Sequence, residues 1–181
     1  MVADMQATDL RAAGCLRAAT RLLRQGELHD ACESIRCGVG GMPTPRLSGE
    51  FLATENFFYT AEFFGLGSRP SLQEVANAGD KYCAMQWDDV MHLHGPESAP
   101  GGEVTASSGR SEPELLKYCF SAAYIVAFLA NGWGVDQTEK RVHFSNSVGG
   151  VSVDWAVGAL LLEVCAVIVK SSSMRRRVDA P

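Results

Sequence analysis

The sequence has no dense basic stripe, no N-x-Ser/Thr acceptor site and none of the short signatures that mark common catalytic loops. Each absence excludes something. Lys plus Arg number 16 against 21 Asp plus Glu, a net charge of -5, and the one basic cluster, Met174 to Arg177, sits in the tail. A mildly acidic chain without a charged face is a poor match to a phosphate backbone, so no nucleic-acid partner is expected. The patterns G-x-x-x-x-G-K-[ST], H-E-x-x-H and G-x-S-x-G are missing, which removes P-loop, zincin and nucleophile-elbow chemistry. The amino end carries Asp4 and Asp9 with no continuous apolar stretch and does not read as a signal peptide. Trp155 to Lys170 is strongly apolar, but Glu163 falls in its middle, so a buried helix is the expectation there.

Six cysteines are present: Cys15, Cys32, Cys37, Cys83, Cys119 and Cys165. The chain is long enough to bury a core without a disulfide framework. Composition is therefore compatible with buried thiols in a reducing compartment and with local disulfides in an oxidising one.

The periodicity predicts a mostly helical chain with a strand or two. A first helix is expected over about Thr8 to Gln25, with Leu10, Leu16, Leu22 and Leu23 near one face and Gly26 as its stop. A Gly- and Pro-rich loop follows, then an aromatic helix over about Leu52 to Leu66. The capping box Ser71–Glu74 opens a helix expected to reach about His92. Residues 95–111 have no periodicity and read as a flexible loop. Ser111 and Glu114 form a second capping box, starting a helix that stops near Gly132. Apolar residues cover more than one face of that helix, including Leu115, Leu116, Phe120, Ile125 and Leu129, so it is expected between other layers. Arg141 to Ser145 alternates and reads as a short strand; Asp154 caps a last helix, about Trp155 to Lys170.

Taken alone these residues carry little chemistry. His92 and His94 are two apart and do not face each other on a helix. The acids beside Trp87, Asp88 and Asp89, read as a solvated face, and the aromatic stripe around Tyr59 reads as core unless Tyr59 points into a cleft.

Read in order, however, the segments "GCLRAATRLL", "CESIRCGVGG", "GEFLATENFFYTAEFFGL", "AGDKYCAMQWDDV", "LLKYCFSAAYIVAFL" and "VDWAVGALL" form a pattern. It resembles the carboxy-terminal part of the nucleoside triphosphate diphosphohydrolase, or apyrase, family, the plant branch most of all, over roughly Gly14 to Leu162. The resemblance implies an α/β fold: the carboxy-terminal, mainly helical portion of an actin-like (ribonuclease H-like), two-lobed nucleoside phosphatase. Residues 1–170 would be part of the second lobe plus a final helix, and residues 171–181 a disordered tail.

The same resemblance implies that Cys32 pairs with Cys37 and Cys83 with Cys119, while Cys15 stays unpaired in this chain. The Cys83–Cys119 link, closing the loop between two helices, would contribute about 3 kcal/mol. It implies that Tyr59 stacks on a nucleobase and that Trp155 sits near metal and phosphates. The opposite face of the base is covered in the family by a residue five before the second cysteine; here that residue is Glu114, not an arginine or aromatic, and its capping pattern occupies it. The implied activity is hydrolysis of nucleoside tri- and diphosphates by metal-assisted attack of water, using Ca2+ or Mg2+. The family's "DAGS"-like and "GGAS"-like phosphate loops and the region of its catalytic glutamate are not among these 181 residues, and Gly38–Gly41 does not replace them. No catalytic or metal-binding residue is therefore expected in this chain, and the chain alone is expected to be inactive. The complete protein is expected in the secretory pathway, in the Golgi or at the cell surface; whether it carries a membrane anchor is left open by these residues. The alternative is a non-catalytic module that binds a nucleotide or another protein.

Overall fold

The computed structural model describes residues 12–24, 37–153, 156, 158–160 and 162–165. The chain divides into two compact units, Met1–Ser145 and Asn146–Pro181.

The first unit is built around one long helix. Helices α1 (Ala12–Leu23), α2 (Asn56–Phe63), α3 (Leu72–Ala84), α4 (Trp87–His94) and α5 (Glu112–Val126) are joined by β1 (Phe51–Ala53) and β2 (Val142–Phe144). Helix α5 packs against the other four helices and continues into a π-helical turn, Ala127–Gly132. This central position accounts for its composition: Leu115, Ile125 and Ala127 are completely buried. Helix and turn together, Glu112–Gly132, are long and apolar enough to cross a membrane, but half of the apolar window is buried inside the protein. A core helix satisfies the same test.

Burial on α5 is not all-round, contrary to the sequence expectation. Leu116 is 62% and Phe120 37% exposed. The rings of Phe120, Tyr124 and Phe128 instead stack along the helix in i, i+4 steps, with centroids 6.2 and 5.7 Å apart. The spacing of one helical turn brings such rings together without a second layer.

Both capping boxes form. The Ser71 hydroxyl accepts the Glu74 N–H at 3.2 Å, and the Glu74 carboxylate accepts the Ser71 N–H at 2.7 Å. At α5 the Glu114 carboxylate accepts the Ser111 N–H at 3.0 Å. Helix α3 stops at Ala84, short of the expected His92, because Met85 and Gln86 are extended. A straight helix would carry Val90 about 12 Å past Tyr82 along its axis. The break lets α4 fold back, and Val90 joins Phe63, Tyr82, Leu115 and Tyr118 in one buried cluster. Phe63 stacks face to face on Tyr118 at 3.6 Å, and the Tyr82 hydroxyl donates to the Leu115 carbonyl at 2.9 Å.

The expected helix at Leu52 is also shorter. Phe51–Ala53 is a strand, paired in parallel with β2 in the register Phe51↔Val142, Leu52↔His143, Ala53↔Phe144. The pairing buries Ala53 and Phe144 in the larger core cluster with Leu72, Val75, Ile125 and Leu129. On α1 the leucines expected on one face divide: Leu16 and Leu22 are exposed, Leu23 is half-buried and Leu10 lies outside the described residues, while Ala19 marks the buried face. Small side chains on this face bring α1 close to α5. The segment from Gly95 to Ser111 carries two short 3-10 turns and is tied at its ends by the Gly109 N–H to Gly95 carbonyl and Arg110 N–H to His94 carbonyl hydrogen bonds.

In the second unit Ser147–Val148 (β3) and Val151–Ser152 (β4) form an antiparallel hairpin. Gly149 and Gly150 turn it with φ of 58° and 80°, the left-handed pair that a two-residue hairpin requires. Helical residues follow at 156, 158–160 and 162–165. The expectation that this helix is buried is not met: Leu160 is 63% and Leu162 74% exposed.

Candidate functional site

The candidate site begins at the carboxy end of β1. In open parallel sheets this end faces the ligand crevice. The chain leaves β1 through Thr54 and Glu55 and enters α2 at Asn56. Glu55 has φ 56° and ψ -120°, the one positive φ at a non-glycine residue in the described part of the chain. Such a conformation costs on the order of 1–3 kcal/mol and concentrates at functional sites. It lets the chain pass within two residues from β1, where only Ala53 is buried, to the start of α2.

Tyr59 lies one turn into α2, its N–H bonded to the Glu55 carbonyl at 2.9 Å. Its side chain is 50% exposed, while its neighbours Thr60 and Ala61 are buried. It therefore stands at the border of the helix's buried face, where α2 meets α5. Asn56 fixes that contact: its Oδ1 accepts the Ser121 hydroxyl at 3.3 Å and the Thr60 hydroxyl at 3.5 Å. Phe58 braces Tyr59 edge-on at 5.3 Å. A rigidly based, half-open phenol of this kind can offer one ring face to a flat ligand.

Glu114 is engaged as the sequence suggested. Its carboxylate takes the Ser111 hydroxyl at 2.6 Å as well as the Ser111 N–H, and Arg110 at 3.3 Å. These bonds, led by the Ser111 hydroxyl, hold its pKa below the ordinary carboxylate value. A group spent on a helix cap is not free to cover a base.

Cys83 and Cys119 are joined, linking α3 to α5. Cys37 is disulfide-bonded, and Cys32 lies outside the described residues. Cys15 and Cys165 are free thiols. Trp155 and Asp154 also lie outside the described residues. The glycine cluster at Gly38–Gly41 has a packing role. A Cβ on Gly38 would collide with the Gly132 carbonyl and Thr44, so the glycine permits close approach to the π-helical turn.

An apolar groove of about 400 Å³ runs along the β1–β2 pair, lined among others by Phe51, Leu52, Phe57, Phe128 and Trp133. Tyr59 is not among its lining residues. No group of three or more His, Cys, Asp or Glu side chains among the described residues could hold a metal ion. No part of a metal-assisted step is assigned to these residues.

Two features of the chain, one in each unit, were not read from the sequence. The strain at Glu55 follows from strand pairing between residues about ninety apart, for which the sequence carries no local signal. The hairpin at Gly149–Gly150 did have one, a Gly-Gly pair between two valines.

The order of elements, the paired cysteines and the aromatic helix agree with one family. The profile of the GDA1/CD39 (nucleoside phosphatase) family matches residues 6–176, and the chain belongs to that family. Among its relatives, probable apyrase 6 of Arabidopsis thaliana is 36% identical over 147 residues, covering 81% of this chain and 24% of the relative. Probable apyrase 4 of the same plant is 34% identical over 175 residues, 93% of this chain and 32% of the relative. Ectonucleoside triphosphate diphosphohydrolase 1 of Bos taurus is 32% identical over 133 residues, 72% and 23% respectively. The chain thus spans about a quarter to a third of the length of these relatives.

Proposed function

We propose that this chain forms the nucleobase-side portion of an actin-like, two-lobed nucleoside phosphatase. The complete enzyme removes terminal phosphates from nucleoside tri- and diphosphates by attack of water, with Ca2+ or Mg2+ bound by segments other than these. Family membership supports the activity. The single observation that carries the role of this portion is Tyr59, a half-exposed ring on a well-anchored helix at the carboxy end of a parallel strand. Tyr59 stacks on the base, and Trp155 lies towards the metal and phosphates. With Glu114 held by Ser111, nothing from that position closes over the other face of the base, so discrimination between bases is weak. The ectonucleoside triphosphate diphosphohydrolase names of the animal relatives favour a secretory or cell-surface setting for the complete protein.

The division of labour is tested on the purified chain. Incubated with ATP or ADP and Ca2+ or Mg2+, it shows no turnover; cation-dependent phosphate release overturns the proposal. Binding of ATP, followed by ligand-observed NMR, weakens about tenfold or more in Tyr59→Ala and is retained in Tyr59→Phe, since stacking of a base on a ring is worth about 1–3 kcal/mol. Equal binding by wild type and Tyr59→Ala removes Tyr59 from the site.

A second reading, a module that binds another protein, is favoured by the exposed apolar side chains Leu116, Phe120, Leu160 and Leu162. Surfaces of this kind associate. Sedimentation showing a monomer at high concentration argues against it.

A further inference from the structure

Glu55 stands between β1 and α2, two residues beyond the buried Ala53. Its carbonyl accepts the Tyr59 N–H at 2.9 Å, the first hydrogen bond of α2, so the two residues lie one helical turn apart. Both are exposed, whereas Ala53 behind them and Thr60 beside them are buried. The half-open ring of Tyr59 and the side chain of Glu55 therefore border one stretch of surface, at the carboxy end of a parallel strand. Glycine would fill the backbone conformation at residue 55 freely, yet the residue there carries a carboxylate.

A carboxylate accepts hydrogen bonds and so recognises donors. On a nucleotide the donors are the ribose hydroxyls, the amino groups of some bases and the ring N–H of others. Two carboxylate oxygens suit two vicinal hydroxyls, and in dinucleotide-binding sheets an acid takes the ribose 2′-hydroxyl. A base lying on Tyr59 carries its ribose at its rim, within the reach of a side chain one turn away.

We propose that Glu55 selects the sugar. Its carboxylate accepts the 2′- and 3′-hydroxyls of the nucleotide whose base lies on Tyr59, so the site takes ribonucleotides in preference to 2′-deoxyribonucleotides. The inference rests on Tyr59 holding the base. It also fits weak discrimination between bases, since every ribonucleotide offers the same diol whatever base it carries.

The experiment follows binding of ATP, 2′-deoxy-ATP and ITP to the purified chain by ligand-observed NMR. Wild type is compared with Glu55→Gln, Glu55→Gly, Glu62→Gln and Tyr59→Ala. Wild type is expected to bind 2′-deoxy-ATP about tenfold more weakly than ATP, the loss of a hydrogen bond to a charged group. That ratio falls to within about twofold in Glu55→Gly, which the backbone accepts, and part of the way in Glu55→Gln, which keeps one acceptor. It stays at the wild-type value in Glu62→Gln, which alters the carboxylate within α2 itself. ATP and 2′-deoxy-ATP carry the same charge, so removing a negative charge does not by itself move the ratio. Equal binding of the two by wild type overturns the proposal; if Tyr59→Ala still weakens both, the base site on Tyr59 survives. A preference for ATP over ITP that depends on Glu55, with 2′-deoxy-ATP bound as well as ATP, also overturns it and gives Glu55 to the base edge. A ratio that collapses in Glu62→Gln and persists in Glu55→Gly moves sugar selection to Glu62. No binding of any of the three by wild type counts against Glu55 and Tyr59 alike.

Discussion

Glu55 shows how one residue can carry the cost of a local path. With φ 56° it occupies a region that glycine enters freely and other residues resist. Replacing it with glycine relieves the strain but adds freedom to the unfolded chain. Relief is the larger effect, so Glu55→Gly is expected to stabilise the fold by about 1 kcal/mol, read by urea denaturation. Glu74 illustrates the electrostatic side. Bonds from the Ser71 N–H first, then from Lys140, lower its pKa from 4.5 to about 2. A depressed acid stabilises the fold above its unfolded pKa and loses that contribution as pH falls through the folded one. Acidification from about 4.5 to about 2 therefore weakens the amino end of α3. Glu74→Gln is expected to flatten the pH dependence of the melting temperature across that window and to leave the slope above it unchanged.

At the scale of elements, the packing of α3 on α5 depends on the smallest side chains. A Cβ on Gly79 would stand 2.6 Å from the Cβ of Ala122. The helices meet there almost backbone to backbone, which also brings Cys83 within reach of Cys119, their Cα atoms 5.2 Å apart. Gly79→Val is expected to destabilise the fold by about 1–3 kcal/mol and to slow closure of that disulfide, measured by denaturation and by the rate of thiol loss during refolding. The break between α3 and α4 belongs to the same scale. Residues 71–92 carry no proline or clear stop signal, and the pattern reads as one helix. The aromatic cluster around Phe63 and Tyr118 recruits Val90 and bends the chain back.

At the scale of the molecule, the central helix is held by packing and by one covalent link. Reducing Cys83–Cys119, or replacing both cysteines by serine, is expected to lower stability by about 3 kcal/mol, seen as a shift in the urea midpoint. The apolar residues left at the surface of α5 and of the last helical segment belong to this scale too. They lie on a chain that spans about a quarter to a third of the length of its relatives.

Sequence alone determined the local signals: both capping boxes, the strand at Val142–Phe144, the apolar central helix, and a family resemblance carried by segments in order. Those features are encoded by neighbouring residues, which is why they are legible one window at a time. Tertiary structure decided the rest. It turned Phe51–Ala53 into a strand, because its partner lies about ninety residues away. It left Leu16 and Leu22 of α1 exposed and buried Ala19, because alanine allows the closer approach to α5. It also set Cys15 against Cys119, a contact 104 residues apart in sequence. Pairing, burial and sulfur contacts depend on which distant surfaces meet, and that is a property of the packed chain.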